Sequence, residues 1–345
     1  MSQGAILIFM KKPRGIHYVS DKTFGWTRTL KNGRSVYVNK RGNILKEKDE
    51  DRVKKLVIPP AWSEVKVSHD PKSHIQAVGV DARGRKQYIY HPEWVEYNQK
   101  NKFDSMQKFG EILPTLRETI NGHMRQHTLS RQRILATMVW LLEHTFIRVG
   151  NKAYAKENKS YGLTTLRSKH LDIEGNTVTF SFKGKSNVYH ELSIKHPRVV
   201  STIKKCIELP GYEIFQYLDE SGDRHKIDSS DVNEYLKEIS GEDLSAKDFR
   251  TWGGTTLAGD TLYKLGTADE VIPTEKALVH AVKQVSQHLG NTVAVCRKYY
   301  IHPTVITSHE KNTLVPHFEE MTKAINAVPD GLTWEEYATL SLLSK

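Results

Sequence analysis

Cysteine is scarce: Cys206 and Cys296 are the two in 345 residues, and they lie far apart in the chain. A disulfide framework and a Cys-rich zinc site are thereby excluded, and the pattern fits a reducing compartment. Long apolar runs are missing as well. No stretch approaches the ~18 residues that a membrane span needs. The opening Ala5-Ile6-Leu7-Ile8-Phe9-Met10 is too short for a signal peptide and has no cleavage site. The expectation is a soluble, cytoplasmic protein with no membrane partner. Internal repeats and low-complexity tracts are absent too. Two motifs are incomplete. Gly184-Lys185-Ser186 looks like the end of a phosphate-binding loop, but the upstream glycine such a loop requires is Thr179 here. His190-Glu191 followed by His196 lacks the spacing that puts two histidines on one helix face. The 16 histidines therefore form no recognisable metal motif, and no metal, nucleotide or other cofactor is expected.

Positive charge is in excess, with 51 Lys and Arg against 40 Asp and Glu and a formal net charge of +11. That balance suits a nucleic-acid or anionic-surface partner, although solubility alone would also account for it. Hydrophobic residues make up 38% of the chain, enough for packed cores, and the length suggests about two domains.

Residues 15 to 100 read as β-rich. Arg34-Ser35-Val36-Tyr37-Val38-Asn39 alternates between turns at Asn32-Gly33 and Arg41-Gly42, and residues 75–80 and 87–90 form a second pair. From about 105 the period becomes helical. Ile134, Met138, Leu141, Leu142 and Thr145 fall on one stripe of a helix over 131–147. A β interlude over 177–194 turns at Gly184-Lys185-Ser186-Asn187, and helices follow to the end. Thr274 is read as an N-cap and Gly290 as a C-cap. The domain boundary is placed near Gln99-Lys100-Asn101-Lys102. The fold class expected is α+β: a small antiparallel domain over 1–100, then a larger, mainly α domain over 101–345.

Four segments of the second domain stand out: Phe146-Ile147-Arg148-Val149-Gly150-Asn151-Lys152, the hairpin bearing Lys185, Ser245-Ala246-Lys247-Asp248-Phe249-Arg250, and Leu289-Gly290-Asn291 running on to Cys296-Arg297-Lys298-Tyr299-Tyr300-Ile301-His302-Pro303. Each is ordinary alone. Arg148 can serve a helix dipole, Lys185 can be a solvated turn residue, Arg250 can pair with a carboxylate, Asn291 can cap, and the tyrosines can pack. In this order and spacing they resemble the catalytic set of the type IB DNA topoisomerases, in particular the small poxvirus-like enzymes found in bacteria. Ile58-Pro59-Pro60-Ala61-Trp62 and Gly84-Arg85-Lys86-Gln87-Tyr88-Ile89-Tyr90 look like that family's N-terminal DNA-contacting domain.

The resemblance implies that Arg148 and Arg250 are the catalytic arginines, Lys185 the hairpin lysine, and Tyr300 the nucleophile. Tyr299 is one residue short of the family's spacing from Asn291. Poxvirus and nuclear members carry a histidine where this chain has Asn291. An amide still donates a hydrogen bond but does not titrate, so a phosphate-stabilising role survives and a general-base role does not. Also implied are a C-shaped clamp on duplex DNA, action as a monomer, and a nucleoid-associated location. DNA contacts are expected from Arg83, Arg85, Lys86, Gln87, Tyr88, Tyr90, Lys152, Tyr154 and Lys247, with Lys156 and Lys159 nearby. Two other classes share some of these features, a tyrosine recombinase and a non-catalytic basic DNA-binding protein. The β-rich N-terminal part, with Ile58-Pro59-Pro60, argues against the recombinase, which usually begins with a helical domain.

Overall fold

Alternating side chains in the first hundred residues build one antiparallel sheet of five strands. They are β1 (Trp26–Lys31), β2 (Arg34–Asn39), β3 (Ser63–Val67), β4 (Ile75–Val80) and β5 (Lys86–Tyr90), in the order β2-β1-β3-β4-β5. Helix α1 (Glu47–Lys55) lies between β2 and β3 in sequence and adds Val53 to a small core of Trp26, Leu45, Ile58, Val65, Val67 and Ala77. The computed structural model describes residues 13, 15–31, 34–268, 272–324 and 328–345, with the Tyr154 side chain also outside the described part. The apolar opening and the expected Asn32-Gly33 turn lie outside the described residues.

The chain divides into two units, Met1–Lys102 and Phe103–Lys345. Helix α2 (Pro92–Met124) begins at Pro92 rather than near 105, and it runs straight through 99–102. Gln, Lys and Asn without Gly or Pro do not break a helix, so polarity there is no sign of a linker.

The second unit is mainly helical, as the period implies. After α2 come α3 (Arg131–Thr145), α4 (Lys152–Asn158), the three-stranded antiparallel sheet β6 (Leu171–Glu174), β7 (Thr177–Lys183) and β8 (Tyr189–Lys195), and α5 (Pro197–Glu208). A short ribbon follows, β9 (Gln216–Leu218) with β10 (Arg224–Lys226). The remainder is α6 (Ser229–Ser240), α7 (Ala246–Gly266), α8 (Thr274–Leu289), α9 (Val293–Tyr299), α10 (Pro303–Glu310), α11 (Leu314–Lys323) and α12 (Trp334–Leu343). Gly290 ends α8 in the left-handed conformation, as expected of a C-cap. Thr274 is the first residue inside that helix, not its cap, a position Pro273 takes. Proline's fixed φ and missing N–H suit the entry to a helix.

Helix α7 is the spine of this unit. Phe249 and Trp252 belong to a core shared with α2, α3, α5, α6 and β7, whereas Ala258 and Leu262 belong to one shared with α8 to α12. Gly110 of α2 lets the Trp252 ring sit against its backbone, where a Cβ would collide. The C-terminal helix is latched down by a buried carboxylate. Glu336 accepts from Arg117 at 2.7 and 2.8 Å and from Trp252 Nε1 at 3.2 Å. Arg117 also pairs with Glu143, and these two carboxylates hold its pKa above the ordinary arginine value despite burial.

Candidate active site

Arg148 follows the end of α3, where Phe146 takes a left-handed conformation and turns the chain. Its backbone carbonyl accepts from Leu163 N at 3.0 Å, and Val149 O accepts from Thr164 N at 2.8 Å. That ladder demands a close approach between Gly150 and Gly162. A Cβ on Gly162 would lie 2.5 Å from Arg148 O and 2.6 Å from Gly150 N. Two glycines thus fix the backbone from which the Arg148 side chain departs.

Arg250 is 4% exposed and projects from α7. It donates from Nη1 to Phe146 O and from Nη2 to Leu289 O at 2.7 Å, so it clasps the C-terminal ends of α3 and α8. One turn further along α7, Gly254 admits the Tyr300 carbonyl, which would lie 2.7 Å from a Cβ there. Thr255 Oγ1 donates to Tyr300 O at 3.3 Å and accepts from His302 N at 3.0 Å. The same helix that presents the guanidinium therefore pins the backbone of the tyrosine. Arg250 lies 5.5 Å from the centroid of the Tyr300 ring, whereas the Tyr299 ring has Lys298 5.3 Å away.

Asn291 closes the group. Its backbone N donates to Ser286 O at 3.1 Å, its Oδ1 accepts from Arg148 Nη2, and Arg148 Nη2 also reaches Gly290 O at 3.4 Å. With Oδ1 turned to the guanidinium, Asn291 Nδ2 is buried and has no acceptor among the described residues. Arg250 Nε is in the same position. Buried donors are normally paired, and leaving one unpaired costs about 1–3 kcal/mol.

Among the described residues no carboxylate offsets the charge. Burial lowers the Arg148 pKa against a small opposing pull from Tyr300 and Cys296. Arg250 is pushed down to about 10, first by burial and then by Arg148, with Tyr300 acting the other way. Both remain cations at neutral pH. The contrast with Arg117 is informative: two carboxylates hold that arginine, and these two face each other across a site without one. Cys296, beside them, is pushed up to about 11 by burial, which leaves an inert thiol. The geometry and charge suit a tetrahedral anion, held by fixed guanidinium forks and an amide donor.

Lys185 stands apart. It is exposed in the turn between β7 and β8, where Ser186 and Asn187 are both left-handed. The link to the site is His190, which sequence reasoning considered only as a failed zinc motif. Its ring is wedged between two glycines: a Cβ on Gly184 would lie 2.6 Å from Nε2, and one on Gly290 would lie 2.8 Å from Cε1. It stacks on Phe182 at 5.2 Å. Burial, then Arg148 and Arg250, push its pKa down, so the ring is neutral. His190 thus seats the root of the Lys185 turn against the residue before Asn291. The strand period, which turns His190 to the same side as Phe182, was the available signal.

The expected DNA-contacting residues are spread over both units. Arg85 and Gln87 are bound to Asp81, at 2.6–2.9 Å, and Lys86 to Asp21. Arg83 is exposed. Tyr88 and Tyr90 are about 40% exposed and stack at 5.9 Å on one face of β5. Lys152 and Lys247 are exposed in the first turns of α4 and α7, and the Tyr154 side chain is outside the described residues. Arg148, Arg250, Asn291 and Tyr300 are brought together.

A family model described as eukaryotic DNA topoisomerase I, catalytic core, matches residues 91–325, and one described as bacterial DNA topoisomerase IB, N-terminal domain, matches residues 35–81. DNA topoisomerase 1B of Acanthamoeba polyphaga mimivirus is 33% identical over 274 residues, covering 77% of this chain and 81% of its own. DNA topoisomerase 1B of Vaccinia virus (strain Copenhagen) is 26% identical over 234 residues, covering 66% and 70%. A solved structure of the XerH site-specific recombinase bound to its difH substrate aligns with a TM-score of 0.34 and 17% identity over 55% of this chain and 48% of that one, too slight a likeness to bear on function.

Proposed function

Because this chain belongs to the type IB DNA topoisomerase family, we propose that it relaxes supercoiled DNA by cutting one strand through Tyr300 and resealing it. The observation that carries the reading is the pair of buried donors, Arg250 Nε and Asn291 Nδ2, that have no acceptor among the described residues, in a cluster where none of those residues sets a carboxylate against Arg148 or Arg250. A phosphodiester brings the oxygens such donors require.

Tyr300 Oη attacks the scissile phosphorus and forms the new O–P bond. The P–O5′ bond breaks, and a 3′-phosphotyrosine and a free 5′-hydroxyl result. As the O–P bond forms, the phenolic proton passes to water. Arg148, Arg250 and Asn291 hold the non-bridging oxygens as charge builds on them. Lys185 delivers a proton to the departing O5′, a role that requires its turn to fold toward the bound strand. The covalent link conserves the energy of the backbone bond, so the 5′-hydroxyl reseals by reversal with no nucleotide or metal. Torsional strain sets the direction. In this reading the protein works as a monomer, and its two units form a C-shaped clamp on the duplex.

A tyrosine recombinase would share the arginines, lysine and tyrosine, but would need paired sites. Plasmid relaxation in EDTA without nucleotide is the test. Loss of both positive and negative supercoils on a plasmid of arbitrary sequence supports the reading, and strict dependence on magnesium, ATP or paired sites would overturn it.

A further inference from the structure

A second site free of carboxylates lies at the other end of α3. There a cavity of about 500 Å³ is lined by Arg125, His127, Arg133, Arg198, Ser201 and Lys205 among others. No Asp or Glu lines it among the described residues. Its floor is Arg133, a guanidinium 5% exposed. Arg133 donates from Nε to Thr202 Oγ1 at 3.1 Å and from Nη1 to His127 O at 3.0 Å, both neutral acceptors. Lys205 Nζ converges on that same carbonyl at 3.2 Å. Two cations are thus held on one oxygen, with Arg198 and Arg125 on the wall.

Two other arginines of this unit meet carboxylates. Arg131, on the same helix, meets Glu238 at 3.3 Å and Glu234 at 3.7 Å, and Arg117 has two carboxylates. Arg133 has none. Burial lowers its pKa, opposed only by Cys206, a thiol itself pushed up to about 12 and so uncharged. Burying an unpaired charge is costly, and crowding further cations around it adds repulsion. A ligand of opposite charge relieves both.

We propose that this cavity binds the phosphate groups of an anion carrying more than one of them, with Arg133 as the buried anchor and Arg198 and Lys205 as the rim. Four cations match a polyphosphate better than a single phosphate. Among the described residues no Phe, Tyr or Trp lines the space, so the site reads charge rather than a base. It is distinct from the cleavage site. Arg133 lies in the first turn of α3 and Arg148 just beyond its end, which at 1.5 Å per residue separates them by on the order of 20 Å.

Such phosphates can come from a free polyphosphate or from a DNA backbone, and the experiment separates these. The full chain is titrated calorimetrically with inorganic tripolyphosphate at fixed ionic strength. Comparison is with Arg198→Gln/Lys205→Gln, two exposed positions, and with the charge-matched control Lys46→Gln/Lys48→Gln on the other unit. Saturable one-to-one binding, weakened at least tenfold in the first variant and unchanged in the control, supports the site. Arg133→Gln should weaken it further, its fold checked by thermal melting. Salt-dependent duplex binding of the rim variant identifies the source. A slope shallower by about two points to DNA phosphates, and an unchanged slope points to a free polyphosphate. Equal tripolyphosphate binding by the wild type, the rim variant and the control, together with an unchanged duplex slope, would overturn the proposal.

Discussion

Asn291 accepts from Arg148 through Oδ1 and thereby leaves its own Nδ2 buried without an acceptor. The bond fixes which end of the amide faces the guanidinium, because an arginine can only donate. The other end is a buried donor in a cluster that also holds Arg148, Arg250 and Tyr300.

Asn291→Ala should therefore slow single-turnover cleavage by ~10²–10³, the scale for losing one such donor, and Asn291→His should recover much of it. Asn291→Asp keeps an acceptor for Arg148 but replaces the donor with negative charge. It should melt no lower than wild type and cleave no better than the Ala variant. Cleavage by the Asp variant near the wild-type rate would remove phosphate contact from this position.

Gly162→Ala tests the scaffold rather than the chemistry. Its methyl would meet Arg148 O at 2.5 Å and Gly150 at 2.6 Å, both backbone atoms that cannot swing aside. A loss of about 1–3 kcal/mol is expected, the scale of overpacking, with cleavage reduced more than duplex affinity. Urea denaturation and single-turnover rates check it. Wild-type stability and rate together would show that the close approach is dispensable.

How much of this was legible in the sequence depended on whether the signal was local. Strand alternation in β2, β5 and β7 and the apolar stripe of α3 are repeated along the chain, and they give the fold class directly. The helical start at Pro92 was hidden because polar residues hold a helix as readily as a loop. Arg148, Arg250, Asn291 and Tyr300 were named from spaced motifs, but the contacts of Arg148 with Asn291 and of Arg250 with Tyr300 join segments far apart in the chain and cannot be read from spacing. The pairing of Arg85 and Gln87 with Asp81, and of Lys86 with Asp21, was missed for a related reason: a basic loop looks free until its carboxylates are placed. His190 was overlooked because its two glycine neighbours, Gly184 and Gly290, meet only in three dimensions.

Lys185 is exposed, so Lys185→Ala should leave stability within about 0.5 kcal/mol and duplex affinity near normal while slowing cleavage. If its task is to protonate O5′, a 5′-bridging sulfur should rescue the variant, since a thiolate of pKa ~8.5 needs little protonation. Arg250→Ala, which loses contacts to the non-bridging oxygens, should gain little. Equal sulfur effects in both variants would reduce Lys185 to a phosphate contact or a turn residue.

Acid should destabilise the fold through its histidines. His74, His170, His190, His196, His302 and His317 are all held below the ordinary 6.5, with burial the largest cause in each. Below that value the unfolded chain takes up protons that the folded chain refuses. Stability is therefore full above about pH 6.5 and falls as pH drops toward the lowered folded values. Urea midpoints should decline from pH 7.5 through 6.0 to 5.0, and less steeply in His190→Gln. A flat profile over that range would contradict the assignment of neutral, buried rings.

The central claim is that Tyr300, set 5.5 Å from Arg250, makes the covalent bond to DNA. The most direct measurement traps the protein–DNA adduct on a nicked suicide duplex and maps the linked residue by peptide sequencing. The account predicts an adduct at Tyr300, none with Tyr300→Phe despite normal duplex binding, and a normal yield with Tyr299→Phe. An adduct that persists in Tyr300→Phe, or one that maps to Tyr299, would contradict it.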